Sequence, residues 1–164
     1  MVYLVDGHDR VLGAVERKEA HQKMLLHRAG IVFLSRSDGS ILIQHRSLSK
    51  ETFPGRYDAS VSFHVTYGES YADAAARELG EETGISAPVS YAGKFTHHDP
   101  PEHEVVAVFH CTSDEEVRID LAESEGFEFL DDAKIDSLIA SGNVTPWLRE
   151  GWRAARPSAK RRRD

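Results

Sequence analysis

Short apolar runs punctuated by turn residues fill most of the chain, and one alanine-rich helical stretch interrupts them near its middle. Val2–Val5 and Val11–Val15 flank Asp6-Gly7-His8-Asp9, whose Asp-Gly pair favours a tight turn, so a hairpin is expected. Residues 17–26 read as a short helix holding His21, with His27 just beyond it. Runs 29–34 and 41–45 bracket Arg36-Ser37-Asp38-Gly39-Ser40, a second hairpin signal. In the latter run Ile41 and Ile43 alternate with Leu42 and Gln44, which suits a half-buried strand. Residues 46–56 form a polar loop closing on Phe53-Pro54-Gly55, and 58–65 read as another strand.

The period then changes from two to 3.6. Ser70 with Asp73 three positions on begins a helix, and Gly84 ends it. Ala72, Ala75, Ala76 and Leu79 are expected to share the face that lies close to a sheet. Glu78 and Glu82, four apart, point almost the same way, with Glu81 beside them. Three crowded carboxylates repel each other and call for a positive partner. A hard divalent cation with oxygen ligands meets that need, Mg²⁺ being usual beside phosphates.

Beyond the helix, 89–95 read as a strand and 96–103 as a polar, proline-containing loop with three histidines. Residues 105–112 form a buried strand and 126–130 a shorter one. Asp131 or Asp132 caps a last helix through Ile135, Leu138 and Ile139, ending at Gly142. Hairpins outnumber crossover units, so the fold class is α+β, a mixed sheet flanked by helices. The expected organisation is one domain over 1–152 and a basic, disordered tail over 153–164. Its Lys160-Arg161-Arg162-Arg163 run reads as a solvated end rather than a nucleic-acid contact.

Composition narrows the classes. The 164 residues carry a net charge of −7, which argues against a general nucleic-acid coat. The only cysteine, Cys111, excludes an intrachain disulfide and fits a reducing cytoplasm. No apolar run approaches the roughly 20 residues that span a bilayer, and the N-terminus does not read as a signal peptide. The expected setting is cytoplasmic, as a monomer or homodimer. Arg46, Lys50 and Arg56 read either as solvated cations or, beside the carboxylates, as phosphate contacts.

The central residues carry a resemblance. Glu69, then Arg77-Glu78-Leu79-Gly80-Glu81-Glu82-Thr83-Gly84-Ile85, resembles the Nudix box, Gly-x5-Glu-x7-Arg-Glu-apolar-x-Glu-Glu-x-Gly-apolar. Every fixed position matches except the first, where Phe63 replaces glycine. The resemblance implies an α/β/α sandwich and Mg²⁺-dependent attack by water on a small-molecule diphosphate, with Mn²⁺ able to substitute. It implies Glu78 and Glu82 as principal metal ligands, and Glu81 as a further ligand or the group that deprotonates water. Glu69, Glu78 and Glu81 are then the expected catalytic groups. Arg77 braces Glu69, and Arg46, Lys50 and Arg77 are the candidate contacts to substrate phosphate.

Over roughly residues 2–150, Leu48-Ser49-Lys50, Phe53-Pro54-Gly55, Gly68-Glu69-Ser70 and Thr145-Pro146-Trp147 resemble the isopentenyl-diphosphate isomerase branch and its hydrolase-like relatives. In the isomerases three histidines and two glutamates bind a second metal. His21, His27, His64, Glu102 and Glu104 stand at the matching positions, a donor set suited to Mn²⁺ or Zn²⁺. The isomerase cysteine is replaced by Ser62, whose hydroxyl is far less acidic than a thiol. The position of the isomerases' catalytic tyrosine falls at Phe95, and the isomerase box has a basic residue where this chain has Glu78. The resemblance therefore favours a diphosphate hydrolase. An isomerase acting without the cysteine, and a non-catalytic diphosphate-binding module in which Phe63 has blunted activity, are the competing readings.

Overall fold

The computed structural model describes residues 1–122 and 124–160. Its elements run β1 (Val2–Val5), β2 (Val11–Val15), α1 (Arg17–Gln22), β3 (His27–Ser35), β4 (Ile41–Arg46), β5 (Tyr57–Asp58) and β6 (Val61–His64). Next come α2 (Tyr71–Thr83), β7 (Ser90–Asp99), β8 (Glu102–Thr112), β9 (Ser124–Leu130), α3 (Asp132–Ser141) and α4 (Pro146–Lys160). The strands form one mixed sheet in which β3 pairs antiparallel with β6 and parallel with β8.

The alternation of β3 divides the interior. Ala29, Ile31 and Phe33 pack with Trp147, Leu148 and Trp152 of α4 and Ile135 of α3. Val32 and Leu34 turn to the opposite face and pack with Ala74, Ala75 and Leu79 of α2. The result is an α/β/α sandwich, with α2 on one face and α3 and α4 on the other. Helix α4 lies close against the sheet because Gly151 has no side chain where a Cβ would strike Ile31 Cδ1. Nothing in the described helices is long and apolar enough to cross a membrane.

Several expectations change. The buried residues of α2 are Ala74, Ala75, Leu79 and Thr83, whereas Ala72 and Ala76 are exposed. The helix is thus rotated so that Glu78 and Glu82 lean toward the sheet. Residues 96–103 are not a loop, because β7 and β8 continue through them to a turn at Pro100-Pro101. Helix α1 stops at Gln22, four residues short of the expected end. Helix α4 takes in residues 153–160 of the expected tail, while 161–164 lie outside the described residues.

Candidate active site

Helix α2 sets the first group of donors. Ser70 Oγ accepts the Asp73 N–H at 3.1 Å and donates to Asp73 Oδ2 at 2.6 Å, which fixes the first turn. Gly84, at φ 73°, closes the last turn in the left-handed conformation that glycine adopts without strain. Glu69 stands in the turn before the helix. Arg77 Nε and Nη2 donate to its two carboxylate oxygens at 2.7 and 3.0 Å, a bidentate pair. Arg77 Nη1 donates to Glu78 at 2.8 Å and to Glu81 at 3.2 Å. The guanidinium holds the Glu69 carboxyl below its ordinary range.

Arg77 therefore organises carboxylates. It is not among the residues lining the cleft, and three acidic partners occupy its fork. Arg46 lines the cleft but spends Nε and Nη2 on the Thr52 carbonyl and Nη1 on Asp58 Oδ2 at 3.1 Å. It braces the 46–56 loop from within. Lys50 lines the cleft beside Glu78 and Glu82. Arg56 Nη1 reaches the Val144 carbonyl at 3.5 Å instead.

Glu82 has the most altered carboxyl of this group. Burial first, then the charges of Glu78 and Asp58, push its pKa up to about 8, against the opposing pull of Lys50 and Gln44. Gln44 Nε2 donates to Glu82 Oε2 at 3.3 Å. Glu81 is the outlier in exposure, with 60% of its side chain open. It lines a smaller cavity of about 300 Å³ together with Asp58, Gln44 and Glu82.

The second donor set comes from four elements. His21 lies on α1, His27 opens β3, His64 ends β6, and Glu102 and Glu104 stand two apart on β8. One donor atom each from His21, His27, His64 and Glu102 lies within 4.8 Å of all the others. Glu104 Oε1 joins them, 3.1 Å from His64 Nε2 and 3.6 Å from His27 Nε2. All five residues expected in the second site are brought together.

These atoms fit a cation. His27 Nδ1 donates to the Leu25 carbonyl at 2.8 Å, which leaves its Nε2 lone pair aimed inward. His27 Nε2, Glu102 Oε2 and Glu104 Oε1 are buried without a hydrogen-bond partner. His21 Nε2 does come within 3.2 Å of Glu102 Oε2, and His64 of Glu104, but these approaches lack hydrogen-bond angles. Orphaned acceptors of this kind are costly unless something binds them. Burial would lower the pKa of His64, but the adjacent Glu102 and Glu104 carboxylates outweigh it and raise the value to about 9. Without a metal, a proton on His64 neutralises part of this charge.

Three supporting residues, His97, Trp147 and Asp58, have roles that escaped the sequence reading. Glu104 Oε2 accepts His97 Nε2 at 2.7 Å and Trp147 Nε1 at 2.6 Å, so its carboxylate is aimed from behind. Reading 96–103 as strand-turn-strand would have exposed His97, since it pairs with Glu104 across the ladder. Asp58 is the third hub. Its Oδ2 accepts Ser62 Oγ at 2.8 Å and Arg46, and its Oδ1 accepts Thr145 Oγ1 at 2.7 Å. Ser62, Glu78, Glu82, Lys50, His64 and Glu104 all line one cleft of about 1160 Å³. Both donor sets open into it.

An acidic helix beneath a mixed sheet, with a guanidinium brace and a shared cleft, is the architecture of Nudix enzymes. The family model described as NUDIX domain matches residues 24–148, and the chain belongs to the Nudix hydrolase family. It is 35% identical over 157 residues to the prenyl-diphosphate phosphatase of Methanosarcina mazei, covering 92% of each chain. It is 32% identical to isopentenyl-diphosphate Delta-isomerase 2 of Photorhabdus laumondii, over 92% of this chain and 89% of that one. The crystal structure of DR0079 from Deinococcus radiodurans superposes with a TM-score of 0.80 at 26% identity, covering 94% and 98% of the two chains.

Proposed function

We propose that the chain forms one Nudix domain that hydrolyses an organic diphosphate in a divalent-metal-dependent reaction. The observation that carries this reading is the complete box carboxylate set, Glu69, Glu78, Glu81 and Glu82, with Glu78 and Glu82 facing a cleft that also holds Lys50. Glu78 and Glu82 would hold Mg²⁺, with Glu81 within reach as a further ligand or base. His21, His27, His64, Glu102 and Glu104 would hold a second ion, Mn²⁺ or Zn²⁺. A divalent cation bound there supplies charge neutralisation for the diphosphate and makes water more acidic. The chain's own part is to orient the carboxylates through Arg77 and to pair the diphosphate with Lys50.

Isoprenyl diphosphates lead the substrate panel, because a relative similar over nearly the whole chain is named a prenyl-diphosphate phosphatase. The test is phosphate release from isoprenyl, nucleoside and sugar diphosphates with Mg²⁺ or Mn²⁺. The expected result is turnover of at least one class and its loss in Glu82→Gln. Absence of turnover across the panel, with wild type and variant alike, would sink the proposal and leave the binding-module reading.

The converged His/Glu set also favours a second reading, an isopentenyl-diphosphate isomerase. Ser62 stands against it, because its hydroxyl donates to Asp58 and offers no acidic thiol for carbon protonation. Deuterium uptake by isopentenyl diphosphate in heavy water would restore the isomerase. No uptake disposes of it.

A further inference from the structure

The Nudix box has glycine where this chain has Phe63, and the structure shows where the ring goes. Phe63 faces Gly30 directly across the β3–β6 ladder. A Cβ on Gly30 would strike the tip of the ring at Cζ, and would lie 2.7 Å from Cε2 and 3.2 Å from Cε1. Real Cβ atoms do not make such approaches, so only glycine fits beneath this ring. Phe63 is 6% exposed and packs with the cluster that includes Val65, Ala75 and Leu79. The ring is seated on the backbone of β3 rather than projected across the cleft, in the manner of an aromatic covering a strand glycine.

The seat bears on the site because Phe63 is joined directly to His64. Strand β6 has four residues, and among the described strands it pairs with β3 alone. Val65 N–H donates to the Arg28 carbonyl at 3.1 Å. Ladder alternation then turns the Phe63 peptide groups toward β3 and those of Ser62 and His64 away from it. His64, the last residue of β6, supplies one of the clustered donor atoms. His64 thus ends a short strand, and the ring seated on Gly30 belongs to the residue next to it, with Val61 and Val65 buried on the same segment.

We propose that Gly30 and Phe63 are a compensating pair: the glycine that the box would place on β6 sits at the facing position of β3, and the seated ring positions His64 in the His/Glu set. The positioning role rests on the metal-binding reading of that set. Gly30 and Phe63 are positioning residues.

The test is a double-mutant cycle on the full chain with two readouts, thermal unfolding in chelator and Co²⁺ affinity from the absorption of the bound ion. Gly30→Ala and Phe63→Ala should each lower Tm and weaken Co²⁺ binding about tenfold or more, as displaced supporting groups do. In Gly30→Ala/Phe63→Ala the new Cβ enters the vacated space, so both losses should be smaller than their sum. Phe63→Leu provides a milder arm if Gly30→Ala does not fold, and should weaken Co²⁺ binding in a folded protein. Additive losses in Tm and affinity would overturn the pair. Wild-type Co²⁺ affinity in folded Gly30→Ala or Phe63→Leu would overturn the positioning role and leave packing alone. A wild-type chain that binds no Co²⁺ would remove the metal reading and the positioning role with it, while a coupled Tm cycle would still show the seat.

Discussion

Glu82 is a buried carboxyl whose position costs stability. Its carboxyl is lifted from 4.5 to about 8, so the metal-free fold holds a proton that the unfolded chain releases near 4.5. The protonated form's advantage is fully present below 4.5 and is lost as pH rises through about 8. His64, lifted from 6.5 to about 9, adds to the decline over a higher window. These two groups should therefore lower the metal-free Tm as pH rises from 5 to 9, opposed below about 6.5 by His21, whose pKa burial lowers. Glu82→Gln should remove the lower part of that slope and raise the metal-free Tm at pH 8 above wild type. The same change should lower hydrolysis by about two orders of magnitude. A Tm scan across pH in chelator, beside a rate assay, reads both. A variant less stable than wild type at pH 8 would refute the burial argument. Glu78, Glu81 and Glu82 were legible as a group because one helix carries them at spacings of three and four. Their unequal environments were not, because Asp58 and Gln44 reach Glu82 from β5 and β4.

Among the elements, α4 shows how a local signal is overlooked when its partner is distant. Thr145-Pro146 is a good helix start, with a capping hydroxyl followed by proline at the first helical position. Thr145 Oγ1 accepts the Leu148 N–H at 3.1 Å and donates to Asp58 at 2.7 Å, and the residue is fully buried. The cap thus ties α4 to the strand residue that holds Ser62 and Arg46, and α4 carries Trp147 to Glu104. Thr145→Ala should cost about 1 kcal/mol for the cap, and more because buried Asp58 Oδ1 loses a donor. Thr145→Ser should keep most of both. Chemical denaturation of the three proteins gives the ranking, and equal stability of Ala and Ser variants would show that the cap carries nothing. The β7–β8 hairpin was misread for a related reason. Two prolines and three histidines look like a loop, yet the turn takes only Pro100-Pro101 and the strand period resumes at once. That period places Glu102 and Glu104 on one face, which a loop reading cannot.

At the scale of the whole molecule, a mixed sheet flanked by helices was readable from the hairpin signals and the change of period at Ser70, whereas the convergence of the second donor set was not. His21, His27, His64, Glu102 and Glu104 span more than half the sequence and meet only because β3 lies between β6 and β8. Their spacing carries no metal signature, and only the family resemblance brought them forward. Convergence has an energetic consequence, because folding gathers buried imidazoles and carboxylates whose inward atoms lack partners. A cation that binds this set and not the unfolded chain must stabilise the fold by mass action, by about 2.7 kcal/mol at one hundred times its Kd. For a chain of this size that corresponds to roughly 5–10 °C in Tm. Chelator should lower Tm by such an amount, and Mn²⁺ or Zn²⁺ should restore it more effectively than Mg²⁺, since imidazole favours the softer ions. His27→Ala should abolish the Mn²⁺-dependent rise, whereas Glu82→Gln should retain it, because the two donor sets are separate. Calorimetric unfolding with and without each ion checks the scheme. A wild-type Tm indifferent to chelator and to all three ions would show that these orphaned atoms do not bind metal.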